Sequence, residues 1–207
     1  MLKSQIEISL LKQEIKTAEQ GMSIGFTAAR PGMKEKDIES VVRNWLHNNE
    51  PELLHTLEVK YGKMISPELE LLNDIQYGDF LSINLTGWFN SVVFDLKRVT
   101  VVGQPTSPQK DYLDHLIEAT NWMIEAIVAD RKMTFYPAES RGRFITPIAY
   151  EIDADIRRVP RITAREQFNL PVGMVICIAP TIKSAEFGTM SHSEMIVLAE
   201  QGVEILS

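Results

Sequence analysis

The densest chemistry in this sequence is a run of arginines. Arg141, Arg143, Arg157, Arg158, Arg161 and Arg165 lie within 25 positions of one another, in a chain whose net charge is −7. A guanidinium fork pairs bidentately with carboxylate or phosphate. The run therefore reads either as an anion site or as a solvated face bridged to acids such as Asp153 and Asp155. A second group, Ser191-His192-Ser193-Glu194, holds nucleophile, base and acid side by side. A catalytic triad is defined by geometry, and successive strand residues face opposite ways, which argues against one here. His47 and His55 flank a proline-containing stretch and read as loop histidines rather than metal ligands. Cys177, the only cysteine, lies in an apolar run and reads as a buried small hydrophobe. Alone, it excludes an intrachain disulfide and a cysteine-rich zinc site. No glycine-rich phosphate loop is present.

The elements that must position these residues follow from periodicity. Leu11, Ile15, Ala18, Met22, Phe26 and Ala29 recur at helical spacing, with Gly21 and Gly25 expected to weaken the helix and Pro31-Gly32 to stop it. A second helix is expected over 34–47, with Ile38, Val41, Val42 and Trp45 on one face. Strands are expected over 57–61, 79–85 and 92–102, with Trp88 and Phe89 in the turn between the last two. Ser107 is expected to cap a long helix over 108–128. Strands are again expected over 144–156, 174–179, 194–198 and 203–206. The class is α+β.

The 207 residues suffice for one domain with a core of ordinary size, and 44% hydrophobic with 24% charged residues is globular usage. The acidic balance argues against a nucleic-acid or acidic-membrane partner. No apolar stretch approaches the length of a membrane span, and Met1-Leu2-Lys3 leads into no signal-like apolar region, so a cytoplasmic protein is expected.

Four phrases occur in order: Ala28-Ala29-Arg30-Pro31-Gly32-Met33-Lys34-Glu35, Gly78-Asp79-Phe80-Leu81-Ser82-Ile83-Asn84-Leu85, Asp95-Leu96-Lys97-Arg98-Val99-Thr100-Val101-Val102-Gly103, and Pro171-Val172-Gly173-Met174-Val175-Ile176-Cys177-Ile178-Ala179-Pro180. Together with the element order, over residues 11 to 207, they resemble the pita-bread metallopeptidases, the family of methionine aminopeptidase, aminopeptidase P, prolidase and creatinase. The resemblance implies a curved antiparallel sheet covered by helices, here as a single domain over 1–207 without the extra N-terminal domain of aminopeptidase P and prolidase. It also implies two divalent metals held by two aspartates eleven residues apart, a histidine and two glutamates, with a bridging water as nucleophile.

Carried onto this chain, those five ligand positions fall on Asn84, Asp95, Tyr150, Ala179 and Ser193, and a second, substrate-facing histidine falls on Arg157. Only Asp95 is a ligand of the family's kind. An amide, a phenol, a methyl and a hydroxyl do not hold two dications. A one-residue slip of the last strand would bring Glu194 into the site instead of Ser193. Creatinase works without metal, but through a histidine and glutamates that are also missing. The expected protein is therefore a peptidase-like pseudoenzyme without metal or cofactor. It would bind a peptide or small anionic ligand or serve as a subunit of a complex; inert members of this fold among ribosome-associated and histone-chaperone proteins are the precedent. Two alternatives stand beside it. One is a repurposed, metal-independent enzyme using Asp95, Tyr150, Arg157 and Ser193, with His192 in another register. The other is an active Xaa-Pro or methionine aminopeptidase-type enzyme. A homodimer is expected from the apolar Trp88-Phe89 tip, and an arginine of the 141–165 run, Arg157 first, is expected to neutralise Asp95.

Overall fold

A computed structural model describes residues 2–51, 53–62, 74–89, 92–130, 137–152 and 170–207. Helix α1 (Gln5–Ala28) starts at a capping box: the Ser4 hydroxyl accepts from the Glu7 amide, and the Glu7 carboxylate accepts from the Ser4 amide. Its buried stripe is Ile8, Leu11, Ile15, Ala18 and Met22. The helix runs straight through Gly21 and Gly25, which were expected to interrupt it. Their role is close approach, because a Cβ on Gly25 would stand 2.5 Å from a methyl of Val42 on α2 (Glu35–Asn49). Ile38, Val42 and Leu46 of α2 are fully buried on that face.

Strands β1 (Leu54–Tyr61), β2 (Phe80–Phe89) and β3 (Val92–Val101) form an antiparallel sheet in sequence order. Leu57, Val59, Ile83, Leu85 and Leu96 are buried in one core with α1 and α2. The opposite face carries the alternate residues: Thr56, Thr86 and Asp95 share one row, and Glu58, Asn84 and Lys97 the next. The hairpin is longer than expected. β2 continues to Phe89, so Trp88 and Phe89 belong to the strand and not to its turn; Trp88 is half-buried against the core. Gly87 permits this, since a Cβ there would meet the Phe94 ring at 2.2 Å.

Helix α3 (Ser107–Asp130) is capped by Thr106, not Ser107 as expected. The Thr106 hydroxyl accepts from the Gln109 amide, and the Gln109 side chain accepts from the Thr106 amide. β4 (Ala138–Ser140) follows, and the expected strand over 144–156 is divided at Pro147 into β5 (Arg143–Thr146) and β6 (Ala149–Glu151), its end over 153–156 lying outside the described residues. β7 (Val175–Ile178), β8 (Thr181–Ser184), β9 (Gly188–Ser191), β10 (Glu194–Ala199) and β11 (Gly202–Ile205) complete the chain.

Two further four-stranded sheets result, β11-β10-β7-β6 and β4-β5-β8-β9. In the first, Ala149, Ile176, Ile178, Ile196 and Leu198 cluster with Met123, Ile124 and Ile127 of α3. Its other face sets Tyr150, Cys177 and Met195 in one row toward β3. The β4-β5-β8-β9 sheet closes over Phe80, Tyr112 and Phe187, whose rings meet edge-on or tilted at 5.3–5.7 Å. No helix of the described residues is long and apolar enough to cross a membrane.

Candidate functional site

The site lies where the polar face of β3 meets the β6-β7-β10 face. Asp95 is 8% exposed, and each of its carboxylate oxygens has a hydroxyl donor. Thr86 Oγ1 donates to Oδ1 at 3.0 Å from across the β2–β3 hairpin. The Tyr150 phenol donates to Oδ2 from β6. Burial, then the neighbouring Cys177 and Asp95, pushes the Tyr150 phenol far above its ordinary range, so it stays protonated and acts as a donor. The surrounding backbone is also engaged. Cys177 Sγ donates to the Asp95 carbonyl at 3.5 Å, and the Asp95 amide meets Met195 Sδ at 3.4 Å.

Ser193 is fully buried beside the Asp95 backbone. Its hydroxyl donates to the Asp95 carbonyl at 3.3 Å and accepts from the Lys97 amide at 2.8 Å, fastening β10 to β3. Glu194 points elsewhere and does not enter the site. It receives His192 Nε2 at 3.0 Å and the Ser207 hydroxyl, and lies 3.8 Å from Arg98. Burial works to raise its pKa, but His192, Arg98 and Ser207 together hold it below the ordinary carboxylate value. Arg98 also pairs with Glu19 of α1 at 2.6 Å and donates to the Ser193 carbonyl, so this network clamps α1, β3 and β10 together. His192 and Glu194 thus pair, but Ser191 donates to the Pro180 carbonyl at 2.8 Å and Ser193 to β3, so neither hydroxyl completes a triad.

Ala179 contributes only a buried methyl, and its amide donates to the Ile148 carbonyl at 2.7 Å. Asn84 shares the face with Asp95, but its side-chain amide donates to Glu58 at 2.9 Å. Asp95, Tyr150 and Ser193 are therefore brought together, while Asn84 and Ala179 stand apart from the carboxylate. Among the arginines, Arg141 pairs with Asp111 and Glu118, and Arg143 with Asp111. Neither reaches Asp95: from the β4–β5 hairpin both bridge to acids of α3, and Arg143, 11% exposed, lies over the Tyr112 ring. Arg157, Arg158, Arg161 and Arg165, with Asp153 and Asp155, lie outside the described residues. His47 is exposed on the last turn of α2, while His55 directs Nδ1 to the Leu53 carbonyl.

Thr86, Lys97 and Met195 were not anticipated as site residues, and Cys177 only as core. Thr86 was accessible to reasoning, because in an antiparallel hairpin closing at 89 and 92 the residue opposite Asp95 is 86, not 84. Met195 and Cys177 required the register of β10 on β7.

These residues do not fit a pair of divalent metals. Both oxygens of Asp95 are engaged by hydroxyl donors, and the phenol is a donor held protonated. The hydroxyl of Ser193 is committed to backbone. Among the described residues, no group of three or more His, Cys, Asp or Glu side chains stands close enough to share a metal.

The sequence profile of metallopeptidase family M24 matches residues 9–201. The Xaa-Pro dipeptidase of Pyrococcus furiosus is 23% identical over 222 aligned positions, which span all of this chain and 63% of that protein. The X-Pro aminopeptidase of Thermotoga maritima superimposes with a TM-score of 0.81 at 22% identity, over 100% of this chain and 62% of that one. The prolidase of Pyrococcus horikoshii superimposes with a TM-score of 0.77 at 20% identity, over 99% and 62%. The chain thus spans about three-fifths of the length of these relatives, and its curved sheets and covering helices form the pita-bread fold expected from the resemblance.

Proposed function

The chain belongs to metallopeptidase family M24, and from that premise we propose that it is a non-hydrolytic member, one that binds a peptide or small anion in the cleft where its relatives carry out chemistry. The observation that carries this reading is the state of Asp95. A carboxylate that holds a metal must present a free lone pair, and a metal-activated water needs further anionic ligands around the ions. Here each carboxylate oxygen already accepts a hydrogen bond, from Thr86 or Tyr150, and the nearest wall, Cys177, Met195 and Ser193, supplies no anionic ligand. The Tyr150 phenol donates to the buried carboxylate, and neither Arg141 nor Arg143 reaches it. A peptide is the natural ligand class because the curated relative from Pyrococcus furiosus is named an Xaa-Pro dipeptidase. A cytoplasmic setting is part of the proposal.

The test is elemental analysis of protein dialysed against micromolar Mn²⁺, Co²⁺ or Zn²⁺, run beside cleavage assays on Xaa-Pro and Met-initiated peptides. The expected result is no stoichiometric metal and no cleavage. Metal at one or two ions per chain, lost with Asp95→Ala and accompanied by turnover, would overturn the proposal.

A further inference from the structure

Lys97 lies two residues beyond Asp95 on the same face of β3, and it is half-buried. The carboxylate nearest to it in the cross-strand row, Glu58, is engaged on both oxygens: Lys60 holds Oε1 at 2.8 Å, and Asn84 donates to Oε2 at 2.9 Å. No acid among the described residues stands within ion-pair distance of the Lys97 ammonium. Its charge is felt on both neighbours: it contributes to holding Glu58 below the ordinary carboxylate value, and it partly offsets the rise that burial imposes on the Cys177 thiol. An ammonium in this half-buried position lacks the counter-charge that favours its burial. Beside it, Asn84 uses one amide hydrogen on Glu58 and has a second to offer.

We infer that Lys97, with the Asn84 amide beside it, is a carboxylate-binding subsite in the cleft above Asp95. The cationic group offers donors only. Asp95 and Glu58 flank it and repel any anion, a phosphate dianion about twice as strongly as a carboxylate, so a single negative charge is the better match for the Lys97 ammonium. A planar carboxylate, either the C-terminus of a short peptide or a free small acid, is the ligand chemistry. The inference rests on the reading of the cleft as a binding site without metal.

The experiment is calorimetric titration of the metal-free protein with alanyl-alanine, its C-terminal amide, acetate and inorganic phosphate, with the metal content of the same samples measured. Saturable binding of the dipeptide is expected, weakened about tenfold or more in the amide, in line with the loss of one hydrogen-bonded ion pair. Acetate binding as well as the dipeptide would mark a free acid as the ligand, and acetate binding much more weakly would mark a peptide terminus; either bears out the subsite. Lys97→Met should cause a loss of about tenfold or more in folded protein, and Lys97→Arg should stay within about threefold of the parent. Equal binding of acid and amide by the parent protein, preference for phosphate, or an undiminished Lys97→Met variant would overturn the inference. The acid–amide contrast needs no variant, so it decides even if Lys97→Met does not fold. If metal is absent and acid and amide are not distinguished, this inference alone fails. If binding requires stoichiometric metal, the non-hydrolytic reading fails with it.

Discussion

Removing the Tyr150 hydroxyl isolates the feature on which the site depends. In Tyr150→Phe the ring keeps its packing, and only the phenol that donates to Asp95 Oδ2 is lost. Asp95 would keep the Thr86 hydroxyl at 3.0 Å, but a buried carboxylate oxygen would be left without a donor. Hydrogen bonds to charged groups contribute about 1.5–3 kcal/mol, and an unsatisfied buried acceptor adds its own desolvation cost, so a loss of about 2–3 kcal/mol is expected. For a chain of this size that is a fall in Tm of about 4–12 °C. Urea unfolding of the parent, Tyr150→Phe, Asp95→Asn and the double variant gives the coupling directly. Against Asp95→Asn, where the charge is gone, the same Tyr→Phe change should cost only about 1 kcal/mol, the value of a neutral hydrogen bond. A Tyr150→Phe protein within about 0.5 kcal/mol of the parent, or an equal cost in both backgrounds, would refute the claim that the phenol compensates a buried charge.

Three further outcomes are expected. Glu14 is 1% exposed with Oε2 unpartnered, and burial, then the charge of Glu50, raises its pKa from 4.5 to about 7. The folded protein therefore keeps a proton that the unfolded chain releases, so this stability is full below pH 4.5 and is lost as pH rises through 7. Glu14→Gln should accordingly be about 2–3 kcal/mol more stable than the parent at pH 8 and little changed at pH 4.5, as checked by urea titration at both values. Cys177 is fully buried, and burial, then the charge of Asp95, pushes its thiol up to about 12. It should resist a thiol reagent at pH 8 in the native protein and react freely in urea; fast native labelling would contradict the buried position. Light scattering is expected to give the mass of a homodimer. Half-buried Trp88 no longer argues for it, but exposed Leu2 and Val172, on either side of the Lys3–Gly173 hydrogen bond, do; a single-chain mass at micromolar concentration would count against it.

The helices and the first hairpin were legible because they are long: α1, α2 and α3 carry stripes of three or more turns, and β2 and β3 are ten-residue runs rich in β-formers, β2 alternating over Leu81–Thr86. β4, β8 and β9 span three or four residues, too few for alternation to separate them from turns. Gly21 and Gly25 misled in a common way: each reads as a break along the chain, and the structure places both against α2, with Gly25 too close to Val42 for a Cβ. At the site, resemblance located Asp95, Tyr150 and Ser193, and the outcome for Glu194 followed from the register of β10. What Tyr150 does was not legible. Its partner is 55 positions away, and whether a phenol, an arginine or a metal meets Asp95 depends on how far β6 stands from β3. Thr86 and Tyr150 each give the buried carboxylate one hydroxyl donor, while Arg157, the arginine first expected there, lies outside the described residues.

The central claim is that the Asp95 carboxylate is closed by Tyr150 and Thr86 and holds no metal. Crystals grown or soaked in Mn²⁺, with anomalous diffraction recorded at the manganese edge, test it most directly. The expected result is the Tyr150 oxygen within hydrogen-bond distance of Asp95 and no anomalous peak between Asp95, Asn84 and Ser193. A peak about 2.2 Å from an Asp95 oxygen, with the phenol displaced, would contradict it.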